Sequence, residues 1–199
     1  PDSVALRQRQ RVFGYTEEDL RLLIGPMARQ GEEPLGSMGS DAALAVLSDR
    51  PRLLYDYFAQ LFAQVTNPPL DAIREKLVTS MASTVGPEAN LLEPTPASCR
   101  QINITYPIID NDQLAKLRHI RLAGFHTTSL PMVFEPELGG VGLERAMTAL
   151  CRRAEEAVAS GTTILILSDR GLSQAEAPIP SLLATSGVVH LVRPQVFEG

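Results

Sequence analysis

The chain has few of the residues on which many catalytic and metal sites depend. Its 199 residues include two cysteines, Cys99 and Cys151, and three histidines that lie far apart, His119, His126 and His190. Two cysteines are too few for a disulfide framework, and neither has a second cysteine or a histidine at metal-ligand spacing. We therefore expect no metal site, and we expect both thiols to stay reduced in a cytosolic domain.

Long apolar runs and clusters of basic residues are also missing. No stretch approaches the roughly 20 apolar residues of a membrane span, and the first residues lack a signal-peptide pattern. The formal net charge is -5 and the 18 lysines and arginines are scattered, whereas a nucleic-acid site would need them clustered. We therefore expect neither a membrane nor a nucleic-acid partner, and we place this globular domain in the cytoplasm.

Apolar spacing and capping residues predict the helices. Thr16 can cap the first of them, and Asp110 with Gln113 forms a capping-box pattern at the start of another. Other helices are expected from Pro51, from Asp71, over 143–158 and over 181–191, and Gly161 is expected to end the helix over 143–158. The apolar residues of the helix from Asp71 are expected on its inner side: Ile73, Leu77, Val78 and Met81.

Short apolar runs predict the strands. Residues 42–47 and 162–167 are typical of strands that are buried on both faces, and residues 101–109 and 121–134 contain extended segments. Helix–glycine–strand units of this kind favour an α/β fold with mostly parallel strands and flanking helices.

The tetrapeptide Leu-Ser-Asp-Arg occurs twice, at 47–50 and 167–170, each time after an apolar run. One hypothesis places Asp49 and Asp169, with Arg50 or Arg170, in a shared cleft of a stand-alone α/β enzyme or binding module that takes an anionic ligand. The simpler interpretation is local, because Ser and Asp at a strand end satisfy free backbone donors while the arginine pairs with a carboxylate.

Three other stretches leave a functional and a structural interpretation open. The glycines of "GGVG" at 139–142 could cradle a phosphate or simply permit the helix to begin. Cys99 would need a histidine base to act as a nucleophile, and a packed thiol is the alternative. In "VTNPP", Thr66 and Asn67 precede a double proline. The functional interpretation is a polar elbow that lines a passage or contacts a partner, and the structural interpretation is a plain helix–helix corner.

Longer stretches resemble the central domain of the glutamate synthase large subunit. The matching words are "FGYTEEDLRLLIGPMA", "EPLGSMGSDAALAVLSDRPRLLYDYFAQLFAQVTNPPLDAIREKLV", "GPEANLLEPTPASCRQI" and "LAKLRHI". The resembling segment runs from Phe13 to Arg118, with the last word continuing to Ile120, and the resemblance continues more weakly through "AEEAVASGTTILILSDRG" and "APIPSLLA". It covers nearly the whole chain.

The resemblance implies an enzyme that makes two glutamates from glutamine and 2-oxoglutarate. In that family an amidotransferase domain with an N-terminal cysteine releases ammonia, which passes through an internal tunnel to a synthase domain with FMN and an iron–sulfur cluster. The central domain joins the two and resembles the synthase barrel without its cofactor. Residue 1 here is Pro and no cysteine cluster is present, so the resemblance implies a connecting domain over 1–199 with no catalytic residue and no cofactor of its own.

By the same resemblance, Thr66, Asn67 and Pro68 match the stretch that faces the tunnel entrance, and Arg74 and Glu75 are candidates for interdomain ion pairs. The partners implied are the amidotransferase and FMN synthase domains of the same chain, and surfaces that these domains normally cover would favour self-association. After "SLLA" the family continues with a His-rich helix and a strand, of which only His190 is present here. The domain is therefore either truncated near its C-terminal end or diverged there.

Overall fold

A computed structural model describes residues 3–32, 34, 49, 53–58, 65, 69–87, 90, 92–170, 172–173 and 175–197. The chain divides into two compact units, residues 1–68 and 69–199, and each is described by itself. The strand predicted at 42–47 and most of the helix predicted from Pro51 lie outside the described residues.

The first unit is helical where it is described. It contains α1 (Ser3–Val12), α2 (Glu17–Asp19), a π-helical turn (Leu20–Ile24), α3 (Gly25–Gln30) and a 3-10 helix (Leu54–Phe58). The predicted cap at Thr16 is confirmed, since Thr16 Oγ1 accepts the Asp19 N–H at 3.1 Å and Asp19 Oδ2 accepts the Thr16 N–H at 2.9 Å. Among the apolar residues that follow this cap, Leu20 and Ile24 are half-buried whereas Leu23 and Met27 are exposed.

The π-helical turn between α2 and α3 has a local cause. Pro26 has no N–H, and in a regular helix its ring would collide with the carbonyl of Leu22. The backbone widens one residue earlier, where the Gly25 N–H donates to the Leu20 carbonyl in an i to i+5 bond. The helix thus passes the proline without ending.

The second unit begins with short elements. These are α4 (Glu75–Val78), β1 (Ser83–Val85), a 3-10 helix (Pro96–Cys99), β2 (Ile102–Ile104) and α5 (Asn111–Arg118). β1 and β2 pair antiparallel, with Ser83 opposite Ile104. The predicted capping box of α5 is confirmed, because Asp110 accepts the Gln113 N–H at 2.7 Å and Gln113 accepts the Asp110 N–H at 2.9 Å.

A parallel strand–helix–strand unit follows. It comprises β3 (Thr127–Pro131), β4 (Val133–Phe134), a 3-10 helix (Pro136–Leu138), α6 (Gly139–Ala159), β5 (Ile164–Ser168), β6 (Ala177–Pro178) and α7 (Ser181–Phe197). β3 pairs parallel with β5, with Thr127 opposite Ile164, and β4 pairs antiparallel with β6. A parallel pair needs a long crossover, which the 21 residues of α6 provide.

The end of α6 confirms the prediction at Gly161. The Gly161 N–H donates to Val158 O at 2.9 Å, and the Thr162 N–H donates to Ala157 O at 3.0 Å. Gly161 has φ +94°, in the left-handed region that a side chain rarely adopts. This Schellman arrangement satisfies the last carbonyls of the helix and turns the chain into β5.

The core of the second unit lies between the β3–β5 sheet, α6 and α7. Leu150, Ala154 and Ala184 are fully buried, and Ile179 has 1% of its surface exposed. The remaining buried members are Leu130, Met132 and Val188. All seven core residues lie between positions 130 and 188, so burial is concentrated in the C-terminal part of this unit.

The predicted α/β class is confirmed, but the strand arrangement differs from the prediction. The described residues form three two-stranded sheets, of which one is parallel, and they form no barrel. Only α6 with β5 makes a helix–glycine–strand unit here, whereas the strands of the other sheets are two or three residues long and pair antiparallel. Too few parallel strands are present in the described part to curve into a barrel.

Candidate functional site

The candidate elbow lies at the boundary between the two units. Thr66, Asn67 and Pro68 are outside the described residues, and the unit boundary falls between Pro68 and Pro69. The described flanks are exposed, with Val65 at 69% and Leu70 at 41% of their surfaces. Apolar side chains on both sides of the elbow are therefore accessible to a partner.

Arg74, one of the two ion-pair candidates, is held within its own turn. Asp71 Oδ1 accepts the N–H groups of Ile73 at 3.0 Å and Arg74 at 2.9 Å, and Asp71 Oδ2 accepts from Arg74 Nε at 2.5 Å. The backbone N–H of Arg74, followed by its guanidinium, lowers the pKa of Asp71. The turn is thus stabilised by an ionised carboxylate above the usual pKa of 3.8, and this support is lost as the pH falls through the lowered pKa.

Glu75, the other ion-pair candidate, begins α4 and is exposed. Its carbonyl accepts the Thr79 N–H at 2.9 Å and Thr79 Oγ1 at 2.6 Å. The interdomain role of Arg74 and Glu75 stays a prediction.

The apolar side of this turn does not face inward, contrary to the prediction. The exposed fractions are 91% for Ile73, 80% for Leu77, 56% for Val78 and 57% for Met81. With Leu70 they form a group that we call the 70–81 apolar face. A helix forms here only over Glu75–Val78, and the prediction that this apolar side faces inward is wrong for the described part of the chain.

The second Leu-Ser-Asp-Arg site makes one local bond and one distant bond, and its arginine bonds an amide oxygen where the simpler interpretation expected a carboxylate. Ser168 Oγ accepts the Arg170 N–H at 3.3 Å, and an Arg170 guanidinium nitrogen donates to Asn111 Oδ1 at 2.6 Å. These bonds tie the end of β5 to the first residue of α5. Asp49 lies in the other unit and Arg50 lies outside the described residues, so the shared cleft of the hypothesis stays a prediction.

The two cysteines differ in environment. Cys99 ends an exposed 3-10 helix, whereas Cys151 is half-buried on α6. Burial, and next the negative charge of Glu155, raises the pKa of the Cys151 thiol. Across the described ranges, no three His, Cys, Asp or Glu side chains come together as metal ligands. None of the described helices has the length and apolar character needed to cross a membrane.

The "GGVG" stretch forms the start of α6. The helix begins at Gly139, and Gly142 is buried in its first turn close to the Glu135 carbonyl and the Leu138 side chain. An open depression beside this turn is lined by Glu135 and Glu176 as well as by Arg145, so both charge signs are present. The helix-entry interpretation accounts for these contacts.

Two contacts of the second unit carry no recognisable signal in the sequence. An Arg153 guanidinium nitrogen donates to Pro131 O at 3.1 Å and so ties α6 to the end of β3. The Arg170–Asn111 bond joins residues 59 positions apart. Neither arginine belongs to a local motif that points to its partner.

Comparison with known proteins decides the family. The family model described as the glutamate synthase central domain matches residues 8–196. The chain belongs to the glutamate synthase central-domain family. It is 44% identical over 189 residues to the glutamate synthase [NADPH] large chain of Bacillus subtilis and 42% identical over 180 residues to the glutamate synthase [NADH] of Schizosaccharomyces pombe. It is also 42% identical over 186 residues to the chloroplastic ferredoxin-dependent glutamate synthase of Spinacia oleracea.

These matches cover most of this chain and a small part of each relative. They include 94%, 89% and 92% of the chain but only 12%, 8% and 11% of the three relatives, in the same order. The chain therefore corresponds to one domain of much longer proteins.

Proposed function

We propose that this chain is the connecting domain of a glutamate synthase. In this role it links the amidotransferase domain to the FMN synthase domain and helps to form the internal ammonia tunnel. FMN and the iron–sulfur cluster belong to the synthase domain, and the connecting domain carries no cofactor. The observation that carries the proposal is the match of residues 8–196 to the central-domain family together with the small share of the relatives that the match covers.

The similarity of this chain to relatives named for three different electron donors supports a role apart from electron supply. The relatives named for NADPH, NADH and ferredoxin are 44%, 42% and 42% identical to this chain. A domain whose residues contacted the electron donor would be expected to resemble one class more than the others. Near-equal identity favours a step common to all three, and the transfer of ammonia is such a step.

The elbow at Thr66, Asn67 and Pro68 is the part of the chain that we assign to the tunnel entrance. In the sequence it directly follows Val65 and is followed two residues after Pro68 by Leu70, and both of these apolar residues are exposed. A short hydroxyl and an amide can hydrogen-bond a passing ammonia, while the double proline limits the backbone conformations that the elbow can adopt. Arg74 and Glu75 follow at the start of the next unit, where we assign them to interdomain ion pairs.

The proposal is tested in a full-length glutamate synthase that carries this domain. The variants are Asn67→Ala and Thr66→Val, with Asn103→Ala on β2 as a matched exposed control. We expect glutamine hydrolysis to continue in the elbow variants while more ammonia escapes to solution for each 2-oxoglutarate converted. The control should keep the ratio of the parent enzyme. Unchanged coupling in both elbow variants would contradict the assignment.

A further inference from the structure

The open depression beside the start of α6 lies where the β4–β6 pair meets the first turns of that helix. Its volume is about 350 Å³, which is within the range of sites for small molecules. Part of its lining is apolar, from the half-buried residues Val133, Phe134 and Ala146. Apolar surface with a few convergent charged groups is the usual composition of a small-molecule site. The charged side chains that line the depression are Glu135, Arg145 and Glu176.

The two carboxylates of the depression stand opposite each other. β4 and β6 pair antiparallel, with Phe134 opposite Ala177. The next residue along each chain continues this register, which places Glu135 opposite Glu176. Opposite residues of an antiparallel pair have their side chains on the same face, and like charges in this arrangement are destabilising. A cationic group bound between the two carboxylates removes this repulsion.

One of these carboxylates is already oriented by the protein. Ser173 Oγ donates to Glu176 Oε2 at 3.0 Å, and Glu176 is half-buried. This hydrogen bond engages one carboxylate oxygen and fixes the direction of the other. The Glu176 carboxylate is therefore held in place before any ligand binds.

Arg145 faces the same depression from α6. Gly142 is buried, and a Cβ added there would lie 2.8 Å from Glu135 O, so glycine permits the helix to approach this segment closely. Arg145 follows three residues later and thus lies on the same face of the helix. In the described part of the chain no ion pair joins Arg145 to Glu135 or Glu176, although all three line one depression. The guanidinium can therefore hold an anionic group of a ligand.

These charges select a ligand that carries both a cation and an anion. Carboxylates accept hydrogen bonds from an ammonium group, and a guanidinium binds a carboxylate through paired hydrogen bonds. The apolar part of the lining fits an aliphatic side chain. We propose that the depression binds an α-amino acid with an aliphatic side chain, its ammonium between Glu135 and Glu176 and its carboxylate on Arg145. The site lies within the second unit and does not depend on the proposed tunnel role.

Amide hydrogen exchange in the full-length enzyme measures binding at the site itself. The probe is L-leucine, and two matched analogues each lack one charge: 4-methylpentanoate has no ammonium, and 3-methylbutylamine has no carboxylate. We expect L-leucine to slow exchange in peptides that contain residues 133–146, with a dissociation constant of about 1 mM or less. Each analogue should bind at least about tenfold more weakly, because it loses hydrogen bonds to a charged group.

Substitutions test the charged groups one at a time. Arg145→Gln and Glu176→Gln should each weaken L-leucine binding at least about tenfold. Arg152→Gln, on an exposed side of α6, and Glu137→Gln, in the exposed 3-10 helix, are the matched controls and should bind like the parent. Exchange in peptides that contain the fully buried Leu150 reports whether each variant keeps the fold.

Several results would overturn the inference. One is unchanged exchange at residues 133–146 with L-leucine at up to about 10 mM. Another is equal binding of either analogue, which would show that one of the two charged contacts is not made. A third is parent-like binding in a folded Arg145→Gln or Glu176→Gln variant, or an equal loss of binding in the control variants. The comparison of L-leucine with its analogues uses the unmodified enzyme and decides the question even where a variant loses its fold.

Discussion

Two regions of the second unit have apolar side chains at helical spacing and differ in burial. α6 has this spacing without a side-chain cap, whereas Asp71 caps the turn that leads into α4. Residues 130–188 enclose Leu150 and Ile179 almost completely, whereas the 70–81 apolar face leaves Ile73 and Leu77 more than three-quarters exposed. Apolar spacing thus occurs in both regions, but a covering surface decides whether the apolar side of a helix becomes a core.

Because of this difference, we expect the buried region to determine the stability of the domain and the exposed region to determine its assembly with a partner. The fully buried residues contribute to folding of the unit itself, because their transfer out of water occurs within it. The exposed apolar residues contribute little until a partner covers them. Substitutions in the two regions should therefore affect different measurements.

The largest expected effect is at Leu150. Leu150→Ala removes a fully buried side chain from between α6 and the sheet and should lower the free energy of unfolding by about 2–5 kcal/mol. The matched substitution Leu77→Ala, at 80% exposure, should change it by no more than about 0.5 kcal/mol. Urea denaturation of the two variants gives both values. Equal losses of unfolding free energy would show that another part of the chain covers residues 70–81, and the two regions would then not differ in burial.

A smaller effect is expected from the two capping aspartates. Asp110→Ala removes the cap of α5, which packs on β3 through a Thr127 Oγ1 bond to Leu117 O, and should cost about 1 kcal/mol. Asp71→Ala should loosen only the 71–79 turn, since no residue of α4 is buried. Chemical denaturation measures the first effect, and amide hydrogen exchange at 74–79 measures the second. A shift of the global unfolding midpoint by Asp71→Ala would contradict this assignment.

The smallest effect concerns the two thiols. Because the folded chain raises the pKa of Cys151, the unfolded chain loses this proton first as the pH rises past the usual value of 9.0. The stabilisation by the protonated thiol is thus complete below that value and is lost as the pH passes the raised pKa. We expect iodoacetamide to modify exposed Cys99 before Cys151, and unfolding midpoints to fall less above pH 9 in Cys151→Ala than in the parent. Faster modification of Cys151 would contradict its burial.

The sequence predicts local features of this fold well. The Thr16 cap, the Asp110–Gln113 box and the Gly161 turn are all short-range, because each depends on residues within a few positions of one another. The apolar spacing of α6 also identifies its packed side, since Leu150 and Ala154 are buried.

The errors concern contacts between distant residues. β1 pairs with β2 across about 20 positions, and no local pattern marks Ser83–Val85 as a strand. Spacing at 73–81 indicates that a helix has an apolar side, but it does not say whether the cover comes from this chain or from another domain. The candidate site was reached through the family resemblance, because a hydroxyl, an amide and two prolines form no catalytic pattern by themselves.

The most direct test of the connecting role is an isotope competition in the full-length enzyme. Glutamine labelled with 15N at its amide is supplied with 13C-labelled 2-oxoglutarate and an excess of unlabelled ammonium. If this domain helps to enclose a tunnel, the 13C-glutamate formed will carry 15N undiluted by the ammonium in solution, and Asn67→Ala will admit the unlabelled nitrogen. Full dilution of the 15N in the unmodified enzyme would contradict the account.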